Sequence, residues 1–164
     1  MKILGIDPGY GIVGFGIIEK DLSGIRVVDY GAVTTPKEMT LVERLLIIEQ
    51  SFEQILAEYK PDEIAIEELF FFRNYTTVIP VAESRGVILT TCYKYCKNVF
   101  EYTPLQIKQA LTGNGRAEKK QVQFMVKNIL GLSSIPKPDD AADALAVALC
   151  HSQTNLILSN TDIK

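Results

Sequence analysis

The order of apolar and polar positions along this 164-residue chain predicts most of its elements. Ile3, Leu4 and Ile6 form a short apolar run of the kind found in strands covered on both faces. The run ends on a carboxylate, Asp7, and the Pro8-Gly9 turn follows. Residues 12–18 predict a second strand and residues 25–33 a third, so the chain opens as an antiparallel meander. Gly14 and Gly16 inside the second strand mark close approach of another backbone or a ligand. Thr40 reads as an N-cap, with Glu43 completing a capping box. Leu41, Leu45, Ile48, Phe52, Ile55, Leu56 and Tyr59 then recur at helical spacing until Pro61 ends the helix. Ile64-Ala65-Ile66 is another short apolar strand, ending on Glu67 and Glu68. A strand, a crossover helix and a strand predict parallel neighbours, which brings Asp7 and Glu67 to one carboxyl-terminal sheet edge.

In the second half, a helix is expected from Thr76 or Thr77 to about Lys97. Its apolar residues spread more widely than one sheet contact needs, and a dimer interface is one explanation. Residues 99–102 form a fourth apolar run, followed by a short helix over 105–111. The Gly-rich link 112–116 lacks the Gly-Lys-Ser/Thr ending of a P-loop and reads as a connection that brings Arg116 and Lys119 near Lys108. A helix over 118–130 and a two-proline loop lead to Asp139-Asp140-Ala141-Ala142-Asp143, the start of a last helix. Asp139 is its expected N-cap. Capping does not account for Asp143, which lies a turn in and shares a face with Asp140. The alanines between 141 and 148 let this helix pack close to a sheet. One domain is expected over 1–155, with a tail at 156–164.

Composition adds three points. No apolar run is long enough to span a membrane and nothing reads as a signal peptide. Cys92, Cys96 and Cys150 have no zinc-type spacing, which predicts reduced thiols in a cytoplasmic protein. The net charge is −3, but it is segregated: −7 through Leu69 and +7 from residue 70 to residue 138. Such a chain presents a basic face unless its lysines are merely solvated helix surface. Arg73, Arg85, Lys108, Arg116, Lys119 and Lys120 are the cations expected to meet nucleic acid. Beside them, Phe70-Phe71-Phe72-Arg73-Asn74-Tyr75 is either a buried plug or a stacking surface. Three successive aromatics cannot all face one way, so at least one is exposed or in an interface.

Asp7 alone reads equally well as a turn cap. Asp7, Glu67, Asp140 and Asp143 together are four carboxylates that one sheet brings to one place. At ~4 Å two such charges repel by about 4 kcal/mol at an effective dielectric of ~20. Protonation relieves that, and so does a divalent cation; an all-oxygen donor set suits Mg²⁺ or Mn²⁺. Two such ions make a phosphoryl-transfer site.

The Gly-Ile-Asp-Pro-Gly block, the Ala-Ile-Glu-Glu-Leu-Phe-Phe block and the Asp-Asp-Ala-Ala-Asp-Ala-Leu-Ala-Val-Ala helix, in this order and spacing, resemble the RuvC family of Holliday-junction resolvases. The resemblance covers nearly the whole chain. It implies an α/β, RNase H-like mixed sheet flanked by helices, a homodimer, Mg²⁺ dependence and symmetric nicking of four-way DNA junctions in recombination and repair. It also implies branch-migration partners, RuvA and RuvB. Asp7 matches the family's strand-end aspartate, Glu67 its glutamate, and Asp140 and Asp143 its paired aspartates. Phe70 matches an aromatic at the junction centre, and Lys108 and Lys119 match DNA-facing lysines. Glu68, adjoining Glu67, leaves open which carboxylate points inward.

Three other readings compete. Asp-x-Gly after a strand also opens actin- and sugar-kinase-like folds, but 164 residues are too few for their usual two domains. A junction-binding module that recruits a nuclease would not need all four carboxylates. RNase H-like RNA-processing nucleases share the acidic set, but the long aromatic and basic segment 70–120 favours branched DNA.

Overall fold

The structure is a computed structural model that describes residues 1–69 and 75–154, with the backbone alone at 75–77. Strands β1 (Lys2–Asp7), β2 (Ile12–Asp21) and β3 (Gly24–Thr34) form the meander. Helix α1 (Leu41–Tyr59) crosses to β4 (Glu63–Glu67), and α2 (Tyr75–Tyr95) crosses to β5 (Val99–Tyr102). Helices α3 (Pro104–Thr112), α4 (Lys119–Ile129) and α5 (Asp139–Gln153) complete the described chain. The sheet order is β3-β2-β1-β4-β5, antiparallel through β1–β2–β3 and parallel through β1–β4–β5.

Local chemistry explains the boundaries. The Thr40–Glu43 capping box opens α1, and a matching Thr103–Gln106 box opens α3. Helix α2 begins at Tyr75 and runs on through Pro80. One expectation fails at α5. Asp139 is its first helical residue rather than its cap; Pro138, in extended geometry, holds the cap position without a side-chain bond. The Pro138 carbonyl accepts from the Ala141 N–H at 3.0 Å, and the Asp139 carboxylate pairs with Lys137 instead.

Two cores sandwich the sheet. Leu4, Ile6, Ile17, Ile64 and Ile66 pack with Ile48, Phe52 and Ile88 on the α1/α2 face. Ile3, Ile18 and Ala65 pack with α3, α4 and α5 on the other. The approach of α5 is extreme. A Cβ on Gly5 would lie 2.1 Å from the Ala144 carbonyl oxygen, and one on Gly14 would lie 2.0 Å from that of Asp140. Strand glycines and helix alanines thus seat the first turns of α5 directly on β1 and β2. Cys92, Cys96 and Cys150 are buried and free, and no described helix is long and apolar enough to cross a membrane.

Candidate active site

Strand register brings the first two carboxylates together. Ile6 pairs with Ile66 across parallel β1 and β4, so Asp7 and Glu67 leave the sheet side by side. Asp143 reaches them from the second turn of α5. These three line a cleft of about 240 Å³ with Lys108 of α3 and Lys119 of α4, over a floor that includes Ile107, Val122 and Ala146. Glu67, not Glu68, is the inward carboxylate; the Glu68 N–H extends the sheet by bonding the Tyr102 carbonyl. Asp140 does not line the cleft. It stands in the first turn of α5, above Gly14, and its charge still reaches Asp7.

The electrostatics are those of crowded, half-desolvated acids. Burial, then the charges of Glu67, Asp143 and Asp140, push Asp7 up to about 8. Burial and Asp143 push Glu67 up to about 7, against the opposing pull of Lys108. Burial also raises Asp143, although Lys119 donates to its Oδ2 at 2.7 Å. Such oxygen-only acids fit a hard divalent cation, whose charge would replace the protons. Among the described residues no three donors stand close enough to share an ion. Asp143 gives one oxygen to Lys119 instead, a pairing that the sequence did not signal.

The other candidates divide. Arg116 and Lys120 are exposed near the start of α4. Arg85, expected to face nucleic acid, is 18% exposed and pairs with Glu101 at 2.7 Å, because β5 runs beside α2 and supplies a carboxylate. Phe70 and Arg73 lie outside the described residues, as do the side chain of Tyr75 and the tail 156–164. His151 is a core residue, ~12 Å along α5 from Asp143. It sits 2.7 Å from both the Tyr102 hydroxyl and Glu63 Oε2, stacks near Phe100, and is held below its ordinary pKa by burial.

Known proteins share this architecture. The family model "Crossover junction endodeoxyribonuclease RuvC" matches residues 3–151. The RuvC of Alkaliphilus oremlandii is 53% identical over 154 residues, which are 94% of each chain. That of Alkaliphilus metalliredigens is 49% identical over the full length of both. The structure of Thermus thermophilus RuvC in complex with a Holliday junction substrate superposes with a TM-score of 0.86, at 35% identity and 93% coverage of each chain. The yeast mitochondrial resolvase Ydc2, at 12% identity and a TM-score of 0.65, shares the fold. The expected RNase H-like mixed sheet is therefore present, and with sequence, fold and acidic cleft in agreement, the chain belongs to the RuvC family of crossover junction endodeoxyribonucleases.

Proposed function

We propose that this chain resolves four-way DNA junctions by paired symmetric nicks, through metal-assisted phosphodiester hydrolysis, in recombination and repair. The observation that carries the reading is the meeting of Asp7, Glu67 and Asp143 with Lys108 and Lys119 in one cleft. Asp7, Glu67 and Asp143 would hold the divalent ions, Mg²⁺ with Mn²⁺ as a substitute, and Asp140, outside the cleft, would add its charge to the set. Bound there, a pair of such ions supplies Lewis-acid activation of water and neutralises charge on the phosphate.

The chain's own groups do the rest. Lys108 and Lys119 place positive charge where a scissile phosphate enters. Arg116 and Lys120 continue that charge along the strand, so binding is strongly salt-dependent. Hydrolysis is direct and in-line. Cys92 and Cys150 are pushed up to about 12 by burial, and His151 is enclosed by Tyr102 and Glu63, so none of them serves as nucleophile or base. The segment 70–75 stacks on unpaired bases at the junction centre. A two-fold dimer presents two clefts to a two-fold substrate. The setting is the cytoplasm, with RuvA and RuvB as branch-migration partners.

The test is a nicking assay on four-way junctions. Asp7→Asn is expected to abolish cutting in Mg²⁺ while leaving junction binding largely intact. Full cutting by that variant rejects the metal-binding role, and binding without any cutting by the wild-type protein favours a recruiting module instead. Phe70→Ala is expected to impair cutting with divalent-ion binding unchanged.

A further inference from the structure

Arg44 is a buried cation with no anion beside it among the described residues. It lies in the first turn of α1 and is 9% exposed. Its Nε donates to Thr35 Oγ1 at 2.8 Å, and its guanidinium carbon stands 4.4 Å from the centre of the Tyr10 ring. The Thr35 hydroxyl donates onward to the Tyr10 carbonyl at 2.6 Å, and the Thr35 N–H bonds the Gly11 carbonyl at 3.0 Å. Tyr10 and Gly11 belong to the loop that leads directly out of Asp7. A Cβ on Gly11 would stand 3.2 Å from Nη2, so this loop keeps the guanidinium close to its backbone.

No carboxylate pairs with Arg44 among the described residues. That arrangement is costly for a clamp that only has to hold a loop. A desolvated charge needs a counter-charge. A cation in the first turn also opposes the helix dipole, which favours an anion there. Meanwhile the ring and the hydroxyl fix the plane of the guanidinium, as a bidentate oxyanion site requires.

We propose that Arg44 binds a backbone phosphate of the DNA strand that passes over the Asp7 loop, on the α1 side, opposite Lys108 and Lys119. This rests on the nuclease reading above. The phosphate supplies the missing counter-charge, and Tyr10 and Thr35 present the fork to it already oriented. The scissile strand is then held on both sides of the acidic cleft.

The experiment measures junction affinity across a salt series without divalent cations, together with the melting temperature of the free protein. Arg44→Gln is expected to lower the slope of log affinity against log salt by about 0.9, the loss of one phosphate contact, with little change in melting temperature. Arg44→Lys is expected to keep most of the slope and bind several-fold more weakly, because the fork is gone. A slope unchanged in Arg44→Gln overturns the proposal and leaves Arg44 a loop clamp. Where Arg44→Gln does not fold, the wild-type Arg44 Nε–Hε resonance decides: it is expected to shift on addition of a junction, and an unmoved resonance overturns the proposal. Wild-type protein that binds no junction overturns the nuclease reading too, whereas normal binding with an unaltered slope overturns this inference alone.

Discussion

Lys119 Nζ stands 2.7 Å from Asp143 Oδ2, so the first residue of α4 reaches the second turn of α5 across the acidic cleft. Its charge also pulls down on Asp7 and Glu67. The lysine is 54% exposed, however, and pairs that open to water contribute only ~0–1 kcal/mol. Lys119→Met is therefore expected to shift the melting temperature by no more than a few degrees while slowing nicking at least ~10-fold, the loss of one positioned charge at a reacting phosphate. A nicking time course beside a thermal melt checks both. Undiminished nicking would remove Lys119 from the reaction.

Stability should depend on pH with an unusual sign. Asp7 and Glu67 sit at about 8 and about 7, above the ordinary carboxylate range. Between that range and pH 8 the folded protein holds more protons than the unfolded chain, so stability falls as pH rises. The favourable contribution of the protonated acids is largest at the acidic end of this window and is gone above about pH 8. Melting curves of metal-free protein from about pH 5 to pH 9 are expected to show this decline, and saturating Mg²⁺ is expected to flatten it by replacing protons with cation charge. A metal-free protein that becomes more stable across that range contradicts the raised acids.

Asp7→Asn should separate stability from activity. Removing a buried charge that three neighbouring acids repel relieves the cluster, so the metal-free variant is expected to melt above wild type at about pH 8.5. The same substitution deprives the cleft of its central donor and is expected to stop cutting. Calorimetry without and with Mg²⁺ reads both effects, the second as a lost stabilisation by the ion.

The seat of α5 can be tested at Gly14. An alanine there would place its Cβ 2.0 Å from the Asp140 carbonyl oxygen, on backbone that has no way to rotate aside. Overpacking of this kind costs roughly 1–3 kcal/mol. Gly14→Ala is expected to lower the melting temperature and to cost more cutting than the lost stability accounts for, since the displaced turn carries Asp140 and leads to Asp143. Wild-type cutting by the variant would show that the site tolerates a moved α5.

Much of this molecule was legible without coordinates. The apolar runs at Ile3 and Ile64, the Thr40 capping box and the turn at Pro8-Gly9 act over a few residues, so short-range chemistry settles them. Strand–helix–strand order was enough to place Asp7 and Glu67 on one edge, because crossover handedness and parallel pairing leave little choice. Glycines in β2 and alanines in α5 announced a close contact before the partners were known.

Other features rest on residues far apart in the chain, and no local pattern encodes them. Glu67 rather than Glu68 turns inward because β4 pairs with β1 in one register. Lys119 finds Asp143, 24 positions away, and Arg85 finds Glu101 instead of open surface. Arg44 meets Thr35 and the Tyr10 ring only through the packing of α1 against the Asp7 loop. Periodicity and caps report what a segment prefers. The neighbours of a side chain depend on how the segments pack, and desolvation by those neighbours sets its charge.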